Sequence, residues 1–298
     1  MKKSASTDLH GRITQQIVDI IESGAGVYQM PWHNAEGTLS VPKNPIGNYC
    51  YHGINILSLW AARQKYCFTT NQWATYRQWA SVGAQVRREE KGTPTVFYRP
   101  VVAGDNRETD MTENKKDAEP HYGRPFITKM ATVFNSDQVD GYSPETIDVS
   151  EELCHDKAEK IIIGSGARIL WGGNRACYIP SRDEIHLPPL RSFISSDAYY
   201  GVAFHELTHW TGHQSRCARD LTSRFGSSSY AMEELIAELG AAFFSAESEV
   251  SLAPRVDHAQ YIASWLEVMK QDNKAIFTAA AKANEACSFV LSILNDKN

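Results

Sequence analysis

The chain has 298 residues, a formal net charge of −5 and a hydrophobic share of 42%, values typical of a globular protein long enough for two domains. It contains no run of about 18 apolar residues, and Met1-Lys2-Lys3-Ser4 leads into a polar stretch. The sequence therefore predicts no membrane span and no secretory signal. The six cysteines form no CxxC pair, which favours free thiols and a cytoplasmic location.

Charge differs between the two parts of the chain. Residues 1–135 contain 16 Lys and Arg against 12 Asp and Glu, a net of +4, and the remainder contains 14 against 23, a net of −9. We therefore expect that only the amino-terminal part meets a polyanion.

The amino-terminal part opens with a predicted amphipathic helix. Ile13, Ile17 and Ile21 recur at helical spacing, and Thr7 or Asp8 is placed to cap the helix. Strands are predicted further along, at residues 93–98 and 126–135. Between them, residues 103–124 are rich in polar residues and glycine, and we expect a mobile loop there.

Aromatic and cationic residues are interleaved in this part of the chain. Four of the seven tryptophans lie here: Trp32, Trp60, Trp73 and Trp79. Rings that stack on bases and cations that neutralise phosphate are the components of a surface for single-stranded DNA, although most tryptophans are buried. The candidate phosphate-binding cations are Arg87, Arg88 and Lys91.

We place a domain boundary near residue 145, which gives an α+β protein with domains of 1–145 and 146–298. The second domain is predicted to be mostly helical. Its predicted elements are a helix at about 150–164, a strand at 168–170, a hairpin of 176–180 with 183–188, and helices at about 196–211, 257–270 and 273–294. A further, mostly buried helix is predicted to run to 244, with Ser228 or Ser229 as its N-cap.

The strongest motif is His205-Glu206-Leu207-Thr208-His209, inside the helix predicted at 196–211. Residues four apart share a helix face, so His205 and His209 can point at one ion. Glu206 lies beside them, where zincin metallopeptidases have their general base. The preceding hairpin would offer an edge strand for an extended peptide.

A third metal ligand is expected on the next predicted helix. Glu234 and Glu238 are four residues apart in an apolar sequence, where a carboxylate is costly unless it is paired or bound to metal. In the gluzincin arrangement Glu234 is the ligand and Glu238 orients a histidine. Glu233 and Glu238 remain alternative ligands, whereas the spacing of His213 differs from that of metzincins. Such a set suits Zn²⁺ best and tolerates Mn²⁺ or Co²⁺.

These motifs give the chain a resemblance to the ArdC-type plasmid antirestriction proteins. Three amino-terminal segments resemble the single-stranded-DNA-binding domain shared with TraC-type primases: 51–55 (YHGIN), 83–92 and 133–138 (VFNSDQ). The carboxy-terminal segments that resemble the metallopeptidase domain of polyvalent phage and plasmid proteins are 178–180, 183–185, 205–213, Arg216 and 230–243.

The resemblance implies single-stranded DNA binding, a zinc-dependent zincin-like domain, and protection of incoming plasmid DNA from restriction during conjugation. Host restriction enzymes or other DNA-binding proteins are the implied protein substrates. Two hypotheses compete with it: a DNA-dependent protease of DNA-bound proteins, akin to Spartan-type repair proteases, and a DNA-binding protein whose metal site is a silent scaffold. Glu206 argues against the scaffold, because a structural site needs no base beside its ligands.

Overall fold

The computed structural model describes residues 9–23, 40–100, 126–143, 151–223, 227–251 and 259–295. The helices in these ranges are α1 (Leu9–Ser23), α2 (Ile54–Tyr66), α3 (Tyr76–Ser81), α4 (Glu151–Gly164), α5 (Ser196–Thr211), α6 (Ser228–Ser248), α7 (Ala259–Gln271) and α8 (Ala275–Asn295). The strands are β1 (Lys43–Asn44), β2 (Tyr49–Cys50), β3 (Trp73–Thr75), β4 (Gln85–Val86), β5 (Thr93–Pro100), β6 (Phe126–Asn135), β7 (Val139–Asp140), β8 (Arg168–Trp171), β9 (Cys177–Ile179) and β10 (Glu184–Leu187).

This mixture of helices and sheets confirms the predicted α+β class. None of the described helices is long and apolar enough to cross a bilayer. The loop predicted at 103–124, the cap at Thr7 or Asp8, and Trp32 lie outside the described residues.

The amino-terminal unit, residues 42–51 and 58–143 of the described ranges, is built on an antiparallel sheet of order β3-β6-β5. β5 and β6 coincide with the two predicted strands and pair from Thr93 opposite Val133 to Pro100 opposite Phe126. Trp60, Trp73 and Trp79 are buried in this unit. These three rings therefore form core and cannot stack on a nucleic acid.

The carboxy-terminal unit contains a second sheet, of order β8-β10-β9. The central strand β10 runs parallel to β8 and antiparallel to β9, which confirms the predicted hairpin and leaves β9 at an edge. Ile185 and Leu187 of β10 are fully buried. The sheet supports β9 beside α5, the helix that carries the histidine motif.

α5 and α6 pack closely against each other. The side chain of Ser195 caps α5 by accepting from the N–H of Ala198, and Ser227, one or two residues before the predicted caps, accepts from the N–H of Tyr230 at the start of α6. Gly240 of α6 faces Thr208 of α5 so closely that a Cβ at position 240 would lie 2.3 Å from Thr208 Oγ1. The missing side chain is what lets the two helices approach at the level of the motif.

The first helix packs with the carboxy-terminal unit. Thr14 Oγ1 of α1 donates a hydrogen bond of 2.8 Å to the carbonyl of Asn273, and Lys270 Nζ lies 2.5 Å from a carboxylate oxygen of Glu22. Contacts also group residues 52–57 with this unit. The predicted domain boundary near residue 145 follows sequence order and would assign α1 to the amino-terminal domain, whereas its contacts group it with the carboxy-terminal unit. The apolar stripe of α1 predicts that the helix is buried, but not which unit it packs against.

Candidate metal centre

His205, His209 and Glu234 converge on one point between α5 and α6. The Nε2 atoms of the two histidines are 3.2 Å apart, and the carboxylate oxygens of Glu234 lie 3.5 Å from His205 Nε2 and 3.6 Å from His209 Nε2. All three ligand atoms fall within 4.8 Å of one another. We call these three residues the metal cluster. Two imidazole nitrogens and one carboxylate oxygen are the donor set of an open, catalytic type of zinc site, so the residues fit a divalent cation.

The outer nitrogens of the two histidines face two further glutamates of α6. Glu233 Oε1 lies 3.1 Å from His209 Nδ1, and Glu238 Oε2 lies 3.9 Å from His205 Nδ1. A carboxylate on the outer nitrogen fixes which ring nitrogen carries the proton and leaves the inner one for the metal. Glu233 is within hydrogen-bonding distance of His209 Nδ1, whereas Glu238 lies beyond that distance from His205 Nδ1.

The carboxylates and imidazoles of the cluster shift each other's pKa. Burial by itself raises the pKa of Glu234, but the hydrogen bond with His205 and the proximity of His209 outweigh it and lower that pKa to about 2. Burial likewise favours neutral His209, yet Glu233 and the neighbouring carboxylates raise the pKa of this imidazole. A cation held here must displace the imidazole proton, so uptake of the ion is coupled to proton release.

The candidate base Glu206 is held by a hydrogen bond from β9, an outer strand of the second sheet. The backbone N–H of Tyr178 in β9 donates a hydrogen bond of 2.8 Å to Glu206 Oε2. The Tyr178 hydroxyl donates to Asp183 Oδ1 over 2.8 Å, and Asp183 also accepts from Arg216 Nη1 over 3.0 Å. Arg216 stacks 3.9 Å from the centroid of Trp210 in α5. The hairpin is thereby fastened to the helix that carries the base.

Arg219, which lies in the segment after α5, was not predicted from the sequence. Its guanidinium contacts both oxygens of Glu233 at 3.0 to 3.3 Å. A lone arginine in a polar segment carries no periodic signal, so only the spatial arrangement reveals it. His213, the disfavoured ligand, lies outside the cluster, with its Nδ1 2.9 Å from Ser215 Oγ.

The predicted DNA-binding cations differ in their surroundings. Arg87 Nη2 already donates to Glu90 Oε1 over 2.9 Å and to the carbonyl of Asp137 over 2.5 Å. Arg88 and Lys91 are exposed. The large exposed rings of the described amino-terminal unit are tyrosines, Tyr66 at 46% and Tyr76 at 50%, and Lys65 Nζ lies 5.5 Å from the Tyr66 ring centroid.

Two family models match the chain and define the class of protein to which it belongs. Residues 156–282 match the family model of a zincin-like metallopeptidase, and residues 7–134 match that of the N-terminal domain of the anti-restriction factor ArdC. The chain therefore joins an ArdC-type domain to a zincin-like domain, in that order.

Relatives identify the family. Crystal structures of the antirestriction protein ArdC from the R388 plasmid, metal-free and Mn(II)-bound, superpose with TM-scores of 0.75 and 0.76 at 32% identity. They cover 97% and 98% of this chain and 98% and 100% of theirs. The chain is 41% identical over 286 residues to the protein y4eC of Sinorhizobium fredii (strain NBRC 101917 / NGR234), covering 95% of this chain and 92% of that one. It is 37% identical over 292 residues to a DNA primase TraC of Escherichia coli, of which it spans only 27%. The chain belongs to the ArdC antirestriction family.

Proposed function

We propose that His205, His209 and Glu234 bind one divalent cation, Zn²⁺ in the first place, with Mn²⁺ or Co²⁺ as possible substitutes. The convergence of their ligand atoms within 4.8 Å carries this proposal. The Mn(II)-bound form of the related ArdC supports it. Glu238 and Glu233 then orient the two imidazoles, and Glu206 is not a ligand.

We further propose that the site hydrolyses peptide bonds. When bound, the cation supplies Lewis-acid activation of water and of the scissile carbonyl. Glu206, whose Oε2 accepts from the N–H of Tyr178, takes the proton from the attacking water and passes it to the leaving amine. Among the described residues β9 is an outer strand of its sheet and lies beside Glu206, so an extended peptide that pairs with this edge would take over the N–H of Tyr178 from Glu206 and bring the scissile bond to the base.

For the amino-terminal unit we propose single-stranded DNA as the partner. Exposed cations (Arg88, Lys91) together with exposed rings (Tyr66, Tyr76) supply the two components that such binding requires. The similarity to the ArdC amino-terminal domain and to TraC primases supports the same partner. The resulting function is protection of incoming plasmid DNA, with host restriction or other DNA-binding proteins as substrates.

The decisive experiment compares cleavage of restriction enzymes and of host DNA-binding proteins, each with and without single-stranded DNA. We expect cleavage that a chelator abolishes and that Glu206→Gln lacks. Cleavage of any DNA-bound protein without preference for restriction enzymes would favour the Spartan-like alternative. An intact, metal-loaded chain that cleaves none of them would favour the scaffold, against which the hydrogen-bonded position of Glu206 argues.

A further inference from the structure

Arg219 is a buried arginine that is connected to the metal cluster through one intervening residue, Glu233. Its side chain is 4% exposed, and its Nε and Nη2 donate to the carboxylate of Glu233. Glu233 in turn faces Nδ1 of His209 at 3.1 Å. A guanidinium, a carboxylate and an imidazole thus form a row that ends at a candidate ligand.

The turn after α5 is built to bring Arg219 back to the helix. Ala218 adopts a left-handed backbone with φ of 49°, and the N–H of Arg219 donates to the carbonyl of Gly212 over 2.9 Å. The guanidinium also donates to the carbonyl of Thr208 over 2.6 Å and to Thr211 Oγ1 over 2.9 Å. A Cβ at Gly212 would lie 3.0 Å from Nη2, so glycine leaves the space that the head group occupies.

The electrostatics of the site require such a cation. Four glutamates are buried around the two histidines: Glu206, Glu233, Glu234 and Glu238. A buried carboxylate is costly unless it is paired and hydrogen-bonded, and removing its partner leaves an uncompensated charge. The planar fork of arginine holds a carboxylate at two points, which fixes its orientation as well as its charge.

We propose that Arg219 is a positioning residue that sets the affinity of the metal cluster for its ion by holding Glu233 against Nδ1 of His209. This role rests on the proposed metal site. The new element is that Arg219, which is neither a ligand nor a direct partner of a ligand, influences how tightly the ion is held.

The experiment is a charge-compensation cycle on the full chain. Dissociation constants are measured by calorimetric titration with MnCl2 and by competition for Zn²⁺ with a chelator. Arg219→Gln should bind more weakly by up to about 10-fold, the low end of the effect of losing a direct partner of a metal ligand, because Glu233 remains but is no longer held in place. Glu233→Gln should also bind more weakly, because the buried guanidinium then lacks its counter-ion and repels the cation.

The double variant Arg219→Gln/Glu233→Gln separates positioning from general stability. Its amide oxygen at position 233 can still accept from Nδ1–H, and the net charge equals that of the wild type, so we expect tighter binding than in either single variant. Because neutralising Glu233 also removes the uncompensated buried charge, the free energy of unfolding of the ion-free proteins is measured beside the affinity, and a purely structural arginine would change the first without the second. A double variant no tighter than Arg219→Gln overturns the proposal, as does unchanged affinity in Arg219→Gln.

Arg63→Gln is the control, since Arg63 is a half-buried arginine of the amino-terminal unit whose Nε donates to the carbonyl of Phe68. Its ion affinity should equal that of the wild type, and an equal loss there would overturn the specific role of Arg219. If circular dichroism shows that Arg219→Gln is unfolded, Arg219→Lys, which keeps the charge but loses the fork, takes its place in the cycle. A folded wild-type chain that takes up no ion would instead refute the metal site itself, and the role of Arg219 with it.

Discussion

The main chain of Tyr178 holds the carboxylate of Glu206: the backbone N–H donates to Oε2 across 2.8 Å. The contact joins an edge strand to a helix, so the position of the base depends on the sheet as well as on its own helix. A backbone donor is insensitive to the side chain at position 178. The contact also survives replacement of the carboxylate by an amide, whose carbonyl oxygen can accept the same bond.

The first prediction concerns the replacement of the Glu206 carboxylate by an amide. Glu206→Gln keeps the hydrogen bond to Tyr178 but cannot take a proton, so the variant should fold and bind its ion like the wild type. Peptide cleavage should fall by about 10²–10⁴-fold in kcat/KM, the usual contribution of a general base. Calorimetry and cleavage kinetics on the same preparation check this, and full activity in Glu206→Gln would refute the role.

The second prediction concerns the ligands. His205→Ala/His209→Ala should bind no ion, and Glu234→Ala should bind far more weakly than Glu238→Ala, because Glu238 faces only the outer nitrogen of His205. Ion binding stabilises the folded state by about 2.7 kcal/mol at one hundred times the dissociation constant, so the rise of Tm on adding ion should vanish in the double variant. Loss of ion in Glu238→Ala with retention in Glu234→Ala would exchange the two assignments.

The third prediction is a pH dependence at the hairpin. The hydrogen bonds from Arg216, opposed in part by burial, lower the pKa of Asp183. Because the folded pKa lies below the unfolded value of about 4, the pair stabilises the fold above that pH, and the contribution fades as the pH falls through the folded pKa. Asp183→Asn should therefore lower the free energy of unfolding at pH 7 and lose its effect in acid.

The size of this effect is modest. The side chain of Asp183 is 39% exposed, so solvent screening limits the loss to on the order of 1 kcal/mol. Denaturant unfolding of both proteins at pH 7 and at successively lower pH, with chelator throughout to keep them ion-free, gives the comparison. A difference that grows in acid would contradict the assignment.

The fourth prediction tests the close approach of α5 and α6. Alanine at a helical glycine is ordinarily stabilising by up to about 1 kcal/mol, but a Cβ at Gly240 would meet Thr208 Oγ1 at 2.3 Å in a packed interface. Overpacking of about 1–3 kcal/mol should win, so Gly240→Ala should lower the free energy of unfolding and weaken ion binding. Thr208→Ala in the same chain removes the obstructing atoms and should restore part of both.

The fifth prediction separates the DNA-binding cations. Arg88→Ala and Lys91→Ala should each reduce the salt dependence of single-stranded DNA binding by about 0.7 in log–log slope. Arg87→Ala should change it less, because its guanidinium is already bound to Glu90 and Asp137. Fluorescence anisotropy with an oligonucleotide at several salt concentrations measures the slopes. An equal loss in all three variants would show that the Arg87 contacts open on binding.

Rings and cations should act differently in that assay. Tyr66→Ala and Tyr76→Ala should each weaken binding by about 1–3 kcal/mol without changing the salt slope, since stacking releases no counter-ions. Glu206→Gln is the control and should bind DNA like the wild type. A preference for duplex over single strand would contradict the proposed partner.

Periodicity accounts for the parts of the site that could be predicted. Helical spacing brings together His205 and His209 on α5, and it separates Glu234 from Glu238 by one turn of α6. Helical spacing does not predict that Glu233 faces His209, because this depends on how α6 is rotated against α5. That arrangement relies on the close approach of the two helices at Gly240, which has no side chain. That the three cluster residues bind an ion, and that Arg87, Arg88 and Lys91 bind DNA, stays a prediction.

The fold shows the same division between local pattern and long-range contact. Runs of β-branched and aromatic residues predict β5 and β6, and two short, partly apolar runs in succession predict the β9–β10 hairpin. Strands of two residues such as β1 and β4 are too short for a pattern. Arg219 escapes prediction for another reason: its return to α5 depends on Ala218 in a left-handed conformation, which a non-glycine residue rarely adopts.

The pairing of β5 with β6 continues to Pro100 opposite Phe126, so the two strand ends stand about 5 Å apart whatever the 25 residues between them do. The entropy of closing a loop grows only with the logarithm of its length, at about 0.6 kcal/mol for each doubling. Shortening this connection, or lengthening it with a fluorescent reporter, should therefore cost little stability. A label attached there could be used to test the proposed binding to single-stranded DNA.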